Sequence, residues 1–193
     1  VMDSDFPLLL KGEKARIIYT DPPWGQGNLK YWQTINQRHT GANKKEIDYN
    51  GFISRIFQIG ADYLAADGVF FVEYGIKWRE DILRMGTKVG LRHLLRIDLR
   101  YKSGSKLLPL DLHIFSKKQL QIPKDYVVNL KGTHGYNSLK KAIPRFAKQG
   151  EILLDPCCGM GFSAKAALEN RMNFRGNELN SKRLEKTIKR LNK

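Results

Sequence analysis

Two short stretches of this chain pair residue types that can do chemistry together: Asp21-Pro22-Pro23-Trp24 and Asp155-Pro156-Cys157-Cys158-Gly159-Met160-Gly161. An exocyclic amino group on a nucleic-acid base is a poor nucleophile, because its lone pair is delocalised into the ring. A carboxylate accepting one N–H and a backbone carbonyl accepting the other would draw the nitrogen toward tetrahedral geometry. Asp21 and the carbonyl of Pro22 are of the required kinds. Proline lacks an N–H and fixes φ, so Pro22 and Pro23 hold that carbonyl in a stiff, preorganised stretch. Trp24 offers a face on which an extruded base can stack.

In the second stretch, Gly159-x-Gly161-x-x-Ala164 stands between a predicted strand and a predicted helix, and Glu178 follows Gly161 by seventeen residues. Glycines there permit a tight turn and close approach of a ligand, and an acid after the next strand can accept from ribose hydroxyls. The pattern speaks for an adenosine-containing ligand. A nicotinamide dinucleotide would need a second mononucleotide-binding half, and only fifteen residues follow Glu178. S-adenosylmethionine is therefore the expected cofactor, with Asp155 holding or orienting its ammonium end.

The elements that must position these stretches follow from hydropathy period. Ala15–Thr20 is a β-branched and aromatic run stopped by Pro22-Pro23, which places Asp21 at the end of a buried strand. Residues 25–50 are polar, contain glycine and show no clear period, so a mobile substrate loop is expected there. It carries Lys30, Tyr31, Trp32, Arg38, Lys44 and Lys45, the mixture of stacking faces and cations that suits single-stranded or flipped-base nucleic acid. Helical spacing covers residues 52–66 and 78–89 around a core strand at 69–72. Residues 95–101 and 108–114 alternate as the two arms of a hairpin. The basic segment 116–135 is read as irregular and as a short candidate recognition segment. A helix over 138–148, a strand at 152–154, a helix over 164–168, a strand at 174–176 and a final helix from Ser181 burying Leu184, Ile188 and Leu191 complete the order. Strands alternating with helices predict an α/β fold with a doubly wound, mostly parallel sheet.

Charge narrows the partner. Thirty-four Lys and Arg against nineteen Asp and Glu give +15 over 193 residues, enough to attract a polyanion, so nucleic acid is the expected partner. No stretch approaches 18 apolar residues, so no membrane attachment is expected. Cys157 and Cys158 are neighbours and cannot staple distant parts of a fold, no signal peptide opens the chain, and His and Cys show no zinc spacing. The expectation is one intracellular, cytoplasmic domain without a structural metal.

Asp21-Pro22-Pro23-Trp24 resembles the catalytic motif of amino-methyltransferases acting on DNA and RNA adenine, and Asp155-Pro-Cys-Cys-Gly-Met-Gly resembles their cofactor motif. The catalytic motif comes first, as in the circularly permuted beta class of DNA N6-adenine methyltransferases, while Trp24 is similar to the messenger-RNA adenosine methyltransferases. The resemblance implies a single Rossmann-like methyltransferase domain over residues 1–193, ending its sheet with the antiparallel hairpin strand, in a prokaryotic or phage-encoded protein. It implies Asp21, Pro22, Pro23 and Trp24 as catalytic. It further implies Asp21, Asp155, Pro156, Cys157, Gly159, Gly161, Phe162, Ser163, Glu178 and Asn180 as cofactor-binding. His134, Asn137 and Ser138, just before the cofactor strand, would line the methionine end. Cys157, Met160 and Phe162 stand where the beta class usually has Phe, Ser and Thr. Sequence-specific members insert a recognition region after the hairpin, and here only residues 119–133 fill that place, so a second copy or a partner chain would supply target recognition. A catalytically silent nucleic-acid-binding subunit and an N4-cytosine methyltransferase are the alternative readings, the latter usually carrying Ser in place of Asp21.

Overall fold

The computed structural model describes residues 1–2, 5–40 and 48–192. Six strands form one sheet: β1 (Ala15–Thr20), β2 (Leu64–Tyr74), β3 (Arg92–Ser103), β4 (Lys106–Ser116), β5 (Ile152–Asp155) and β6 (Asn173–Gly176), in the order β3-β4-β2-β1-β5-β6. β1 pairs parallel with β2 and β5, and β5 with β6, whereas β4 runs antiparallel to both β2 and β3. The expected α/β sheet, mostly parallel with an antiparallel hairpin strand, is what forms.

Helices cover both faces. α1 (Phe6–Leu10), α2 (Gly25–Thr40), α3 (Tyr49–Tyr63) and α4 (Arg79–Lys88) pack on one side through Phe6, Leu29, Phe57 and Ile82, which meet Ile18, Phe70 and Leu154 from the sheet. α5 (Lys124–Leu130), α6 (Tyr136–Ala142) and α7 (Phe162–Glu169) pack on the other through Tyr126, Leu139 and Ala166, which meet Ile17, Phe71 and Leu153. Successive strand residues point to opposite faces, so strands buried on both sides read as unbroken apolar runs such as Val69-Phe70-Phe71-Val72. Among the described residues no helix is long and apolar enough to cross a membrane.

Four expectations are corrected. Residues 25–40, expected as a mobile loop, are the helix α2. Its polarity hid it, because among its described residues after Gly25 only Leu29 is buried and the helix is anchored instead by polar and aromatic contacts described below. Segment 116–135, expected as irregular, contains α5, whose Tyr126 hydroxyl donates to the carbonyl of Ala142 at 3.1 Å. The helix expected over 138–148 stops at Ala142: Ile143 keeps helical geometry, but Pro144 has no N–H with which to continue the ladder. The helix expected over 52–66 ends at Tyr63, since Leu64 already pairs with Ala15 in the sheet.

The last helix, α8 (Ser181–Leu191), forms where expected but buries the wrong residues for its pattern: Thr187 is 3% exposed, whereas Leu184 and Ile188 are 41% and 49% exposed. It docks by its basic side. Arg183 stacks on Trp32 at 4.0 Å and Arg190 on Phe162 at 4.1 Å, and the Thr187 hydroxyl donates to the Gly159 carbonyl at 3.3 Å. Leu184→Lys and Ile188→Lys are each expected to cost less than about 1 kcal/mol in denaturant melts, against the roughly 2–5 kcal/mol of truncating a core leucine or isoleucine.

Candidate active site

β1 and β5 lie side by side and parallel, but the chain leaves β1 toward α2 and β5 toward α7, on opposite faces. A crevice must open at their carboxyl ends, which is where open α/β sheets bind ligands. Asp21 is the first residue past β1 and Asp155 the last of β5. A cavity of about 940 Å³ opens there, lined by Asp21, Pro22, Pro23 and Trp24 and by Asp155, Pro156, Cys157, Gly159, Phe162, Ser163 and Glu178. Two motifs 134 positions apart in the sequence share one wall.

The Asp-Pro-Pro-Trp turn is braced from below. Tyr74, fully buried at the end of β2, donates its hydroxyl to the Pro23 carbonyl at 3.1 Å and accepts from the Gly25 N–H at 3.3 Å, with the Tyr49 hydroxyl against it. Gly25 has φ +74°, and a Cβ there would lie 2.7 Å from the Trp78 ring, so glycine is required twice over. The Trp24 indole N–H donates to Asp21 Oδ1 at 3.1 Å, its backbone N–H donates to Asn28 Oδ1 at 3.2 Å, and Tyr101 meets its ring edge-on at 5.0 Å. Among the described residues no hydrogen bond to the Pro22 carbonyl is seen, and Pro22 and Asp21 both line the cavity.

The glycine turn is held by its acid. Asp155 accepts from the Cys157 N–H at 2.9 Å and from the Ser163 hydroxyl at 2.5 Å, which commits both its oxygens to shaping the turn. Glu178 accepts from the Asn180 N–H at 2.7 Å through Oε1 and presents the rest of its carboxylate to the cavity. Burial pushes the Cys157 thiol up to about 12 and the Cys158 thiol further, so both are neutral wall groups rather than nucleophiles.

Several expected residues are placed elsewhere. Gly161 caps α7 at φ +76° beneath Thr187, which a Cβ would approach to 2.7 Å, so its task is helix packing. Asn180 is buried as the cap of α8, accepting from the Arg183 N–H at 3.2 Å and donating to Asn36 at 3.2 Å. Ser138 is buried against Thr133, and Asn137 is exposed on α6, whereas His134 lines the cavity. Of the expected substrate contacts, Trp24 and Trp32 line the cavity; Lys30, Tyr31 and Arg38 are exposed on α2, and Lys44 and Lys45 lie outside the described residues. The sequence reading missed Glu73, Tyr19, Arg100, Tyr101, Lys102, Asn177 and Arg183, all of which line the cavity. Glu73 carried a signal, since a lone acid after an apolar strand run marks that strand's end.

Electrostatically the floor is acidic and the rim basic. Burial pushes Glu73 up to about 8 and Asp155 to about 7, Asp21 adding repulsion to both. Asp21 keeps contact with solvent through the cavity, but the protein closes round its other sides and pushes it up to about 6, against the lowering effect of the Trp24 N–H. Arg100, Lys102 and Arg183 stand at the edge. A second cleft of about 610 Å³ between α5 and α6 brings together Asp125, Asn129, Lys141 and Arg145 but no group from the strand ends.

In comparison with known proteins, no family model and no curated protein matches the sequence. Solved structures do match in three dimensions. The chain superposes on the M1.HpyAVI–SAM complex with a TM-score of 0.68 at 18% identity, over 97% of this chain and 96% of that one. On TTHA0409, a putative DNA modification methylase from Thermus thermophilus, it gives 0.66 at 16% identity over 97% and 92%. On the cytosine-N4-specific PvuII DNA methyltransferase it gives 0.59 at 16% identity over 98% and 89%. The chain has the Rossmann-like methyltransferase fold.

Two measurements check this site. Tyr74→Phe, which leaves the Pro23 carbonyl and Gly25 N–H without their partner, is expected to lower unfolding free energy by about 1–3 kcal/mol. For Glu73, whose folded value is raised, the favourable term is fully present below the ordinary value of 4.5 and is lost as pH rises through about 8. Glu73→Gln is therefore expected to raise the melting temperature relative to wild type at pH 9 and to leave it little changed at pH 4.

Proposed function

We propose that this protein transfers a methyl group from S-adenosylmethionine to an exocyclic amino group of a nucleic-acid base, N6 of adenine in DNA being the favoured target. The observation that carries the reading is the convergence of Asp21, Pro22 and Trp24 with the glycine turn on one cavity at the sheet's switch point. The likeness in fold to the M1.HpyAVI–SAM complex supports it.

The residues fit the cofactor chemically. S-adenosylmethionine carries a sulfonium and an ammonium, and the cavity floor offers the carboxyl groups of Asp21, Asp155 and Glu178. Glu178 would accept from the ribose hydroxyls, with Gly159 keeping the wall open for close approach and Phe162, Cys157 and Pro156 bounding the adenine end. Asp155 acts mainly through the turn it holds, and His134 also lines the cavity. When bound, the cofactor supplies an electrophilic methyl group.

The remaining work belongs to the chain. The Asp21 carboxylate accepts one N–H of the target amino group and the Pro22 carbonyl the other, which localises the nitrogen lone pair. The Trp24 indole N–H fixes the carboxylate, and the Tyr74 hydroxyl fixes the turn, so neither acceptor must reorganise as charge develops. After transfer the nitrogen carries one proton too many, and that proton leaves to Asp21 or through it to solvent. Trp24 and Tyr101 offer ring faces and edges for an extruded base, and Arg100, Lys102 and Arg183 offer cations for flanking phosphates.

Labelled methyl transfer onto single- and double-stranded DNA and RNA, followed by nucleoside analysis, tests the reaction and the target. Release of N6-methyladenine is expected. N4-methylcytosine would assign the alternative that the likeness to PvuII methyltransferase raises, and cofactor binding without turnover on any nucleic acid would assign a silent binding subunit. Asp21→Ala is expected to lower kcat by at least about 100-fold while changing cofactor affinity little. Glu178→Ala is expected to weaken cofactor binding in a titration by about tenfold, as loss of a charged hydrogen bond would.

A further inference from the structure

The acid that no motif announces is Glu73. It ends β2, one strand from Asp21, and is 6% exposed while still lining the cavity. Strand alternation puts it on the same face as Tyr19 of β1 and Asp155 of β5, Asp21 follows directly after β1, and β4 sets Leu112 beside it in register. The titratable groups that act on it are those three, and no cation among the described residues joins them. Burial first, and then repulsion from Asp21 and Asp155, favour its neutral form over the opposing hydrogen bond from Tyr19. A neutral carboxyl group donates through its O–H, whereas Asp21, open to the cavity and holding the Trp24 N–H, ionises first.

The floor thus presents an acceptor and a donor side by side. An amino-bearing base has the complementary edge: its amino group donates and the adjoining ring nitrogen, N1 of adenine or N3 of cytosine, accepts. Guanine and uracil or thymine carry a ring N–H and a carbonyl there, the reverse order. We propose that Glu73 is the specificity-determining residue that donates its carboxyl O–H to the ring nitrogen beside the target amino group, so that only bases with that edge are held against Asp21. The inference rests on the amino-methyl-transfer reading above. Glu73 keeps its proton throughout and exchanges none with the substrate.

The test compares an oligonucleotide carrying adenine at the methylated position with one carrying 1-deazaadenine, which keeps the amino group and loses the ring acceptor. Wild-type enzyme is expected to lose about 10- to 100-fold in kcat/KM on the deaza substrate, the effect of leaving one buried donor unpaired. Glu73→Ala is expected to lose a similar factor on adenine and to discriminate little between the two substrates. Glu73→Gln, whose amide still donates, is expected to recover most of that loss and to abolish the wild-type decline in kcat/KM above about pH 8, where ionised Glu73 would face the ring nitrogen as a second acceptor. If nucleoside analysis assigns cytosine, 3-deazacytosine replaces the probe. Equal wild-type rates on the two substrates overturn the role of Glu73 and leave the reaction standing, as does an alanine variant that discriminates as strongly as wild type. Absence of wild-type transfer to every nucleic acid overturns the reaction and this inference with it.

Discussion

The parallel pairing of β1 with β5 is the constraint from which the rest of the site follows. Because β1 continues to one face of the sheet and β5 to the other, nothing in the described chain fills the space beyond their carboxyl ends. The two residues that end or follow these strands, Asp155 and Asp21, are both acids, and each is held by local hydrogen bonds rather than by a counterion. Asp155, buried without a cation beside the Asp21 carboxylate, is costly to fold. A protein keeps such an arrangement where a cationic or hydrogen-bond-donating ligand completes it.

The same constraint explains how the outer parts are used. α2 is not a hydrophobic helix that found a core; it is a polar lid over the crevice, fastened to α8 through Trp32 on Arg183 and Asn36 on Asn180. α8 in turn is pinned to the glycine turn through Thr187 and to Phe162 through Arg190. Cofactor turn, last helix and lid helix therefore form one connected wall. A helix that docks by its arginines leaves its leucine and isoleucine stripe half in water, which inverts the usual amphipathic arrangement.

What the sequence made legible was what local chemistry decides. The core strands could be read from apolar runs, the hairpin from period two, and the two acids from the prolines and glycines beside them, because each signal needs only a few neighbouring residues. What it hid depends on distant partners. Residues 25–40 carry too few apolar side chains to show a helical period, and their helix is fixed by residues some 150 positions away. α8 shows a strong period whose apolar side faces out, since the pattern cannot say that Trp32 and Phe162 will receive its arginines. Tyr74 reads as an ordinary residue at the end of an apolar run and Glu73 only as a mark of that strand's end; the register with β1 turns one into a brace and the other into part of the floor.

Charge distribution ties these levels together. A chain of net charge +15 places Glu73, Asp21, Asp155 and Glu178 in its large crevice and Arg100, Lys102 and Arg183 around it. A polyanion drawn in by the overall field meets cations at the rim and is repelled from the floor, so its phosphates stay outside. Only an uncharged base carrying N–H donors, or a cationic cofactor, gains by going further. The gradient from basic surface to acidic floor thus sorts a nucleotide into its two halves, holding the backbone at the edge and admitting the base. The raised value of Asp21 sharpens that sorting, since the protein around its carboxylate makes it seek a donor more strongly than it would in water.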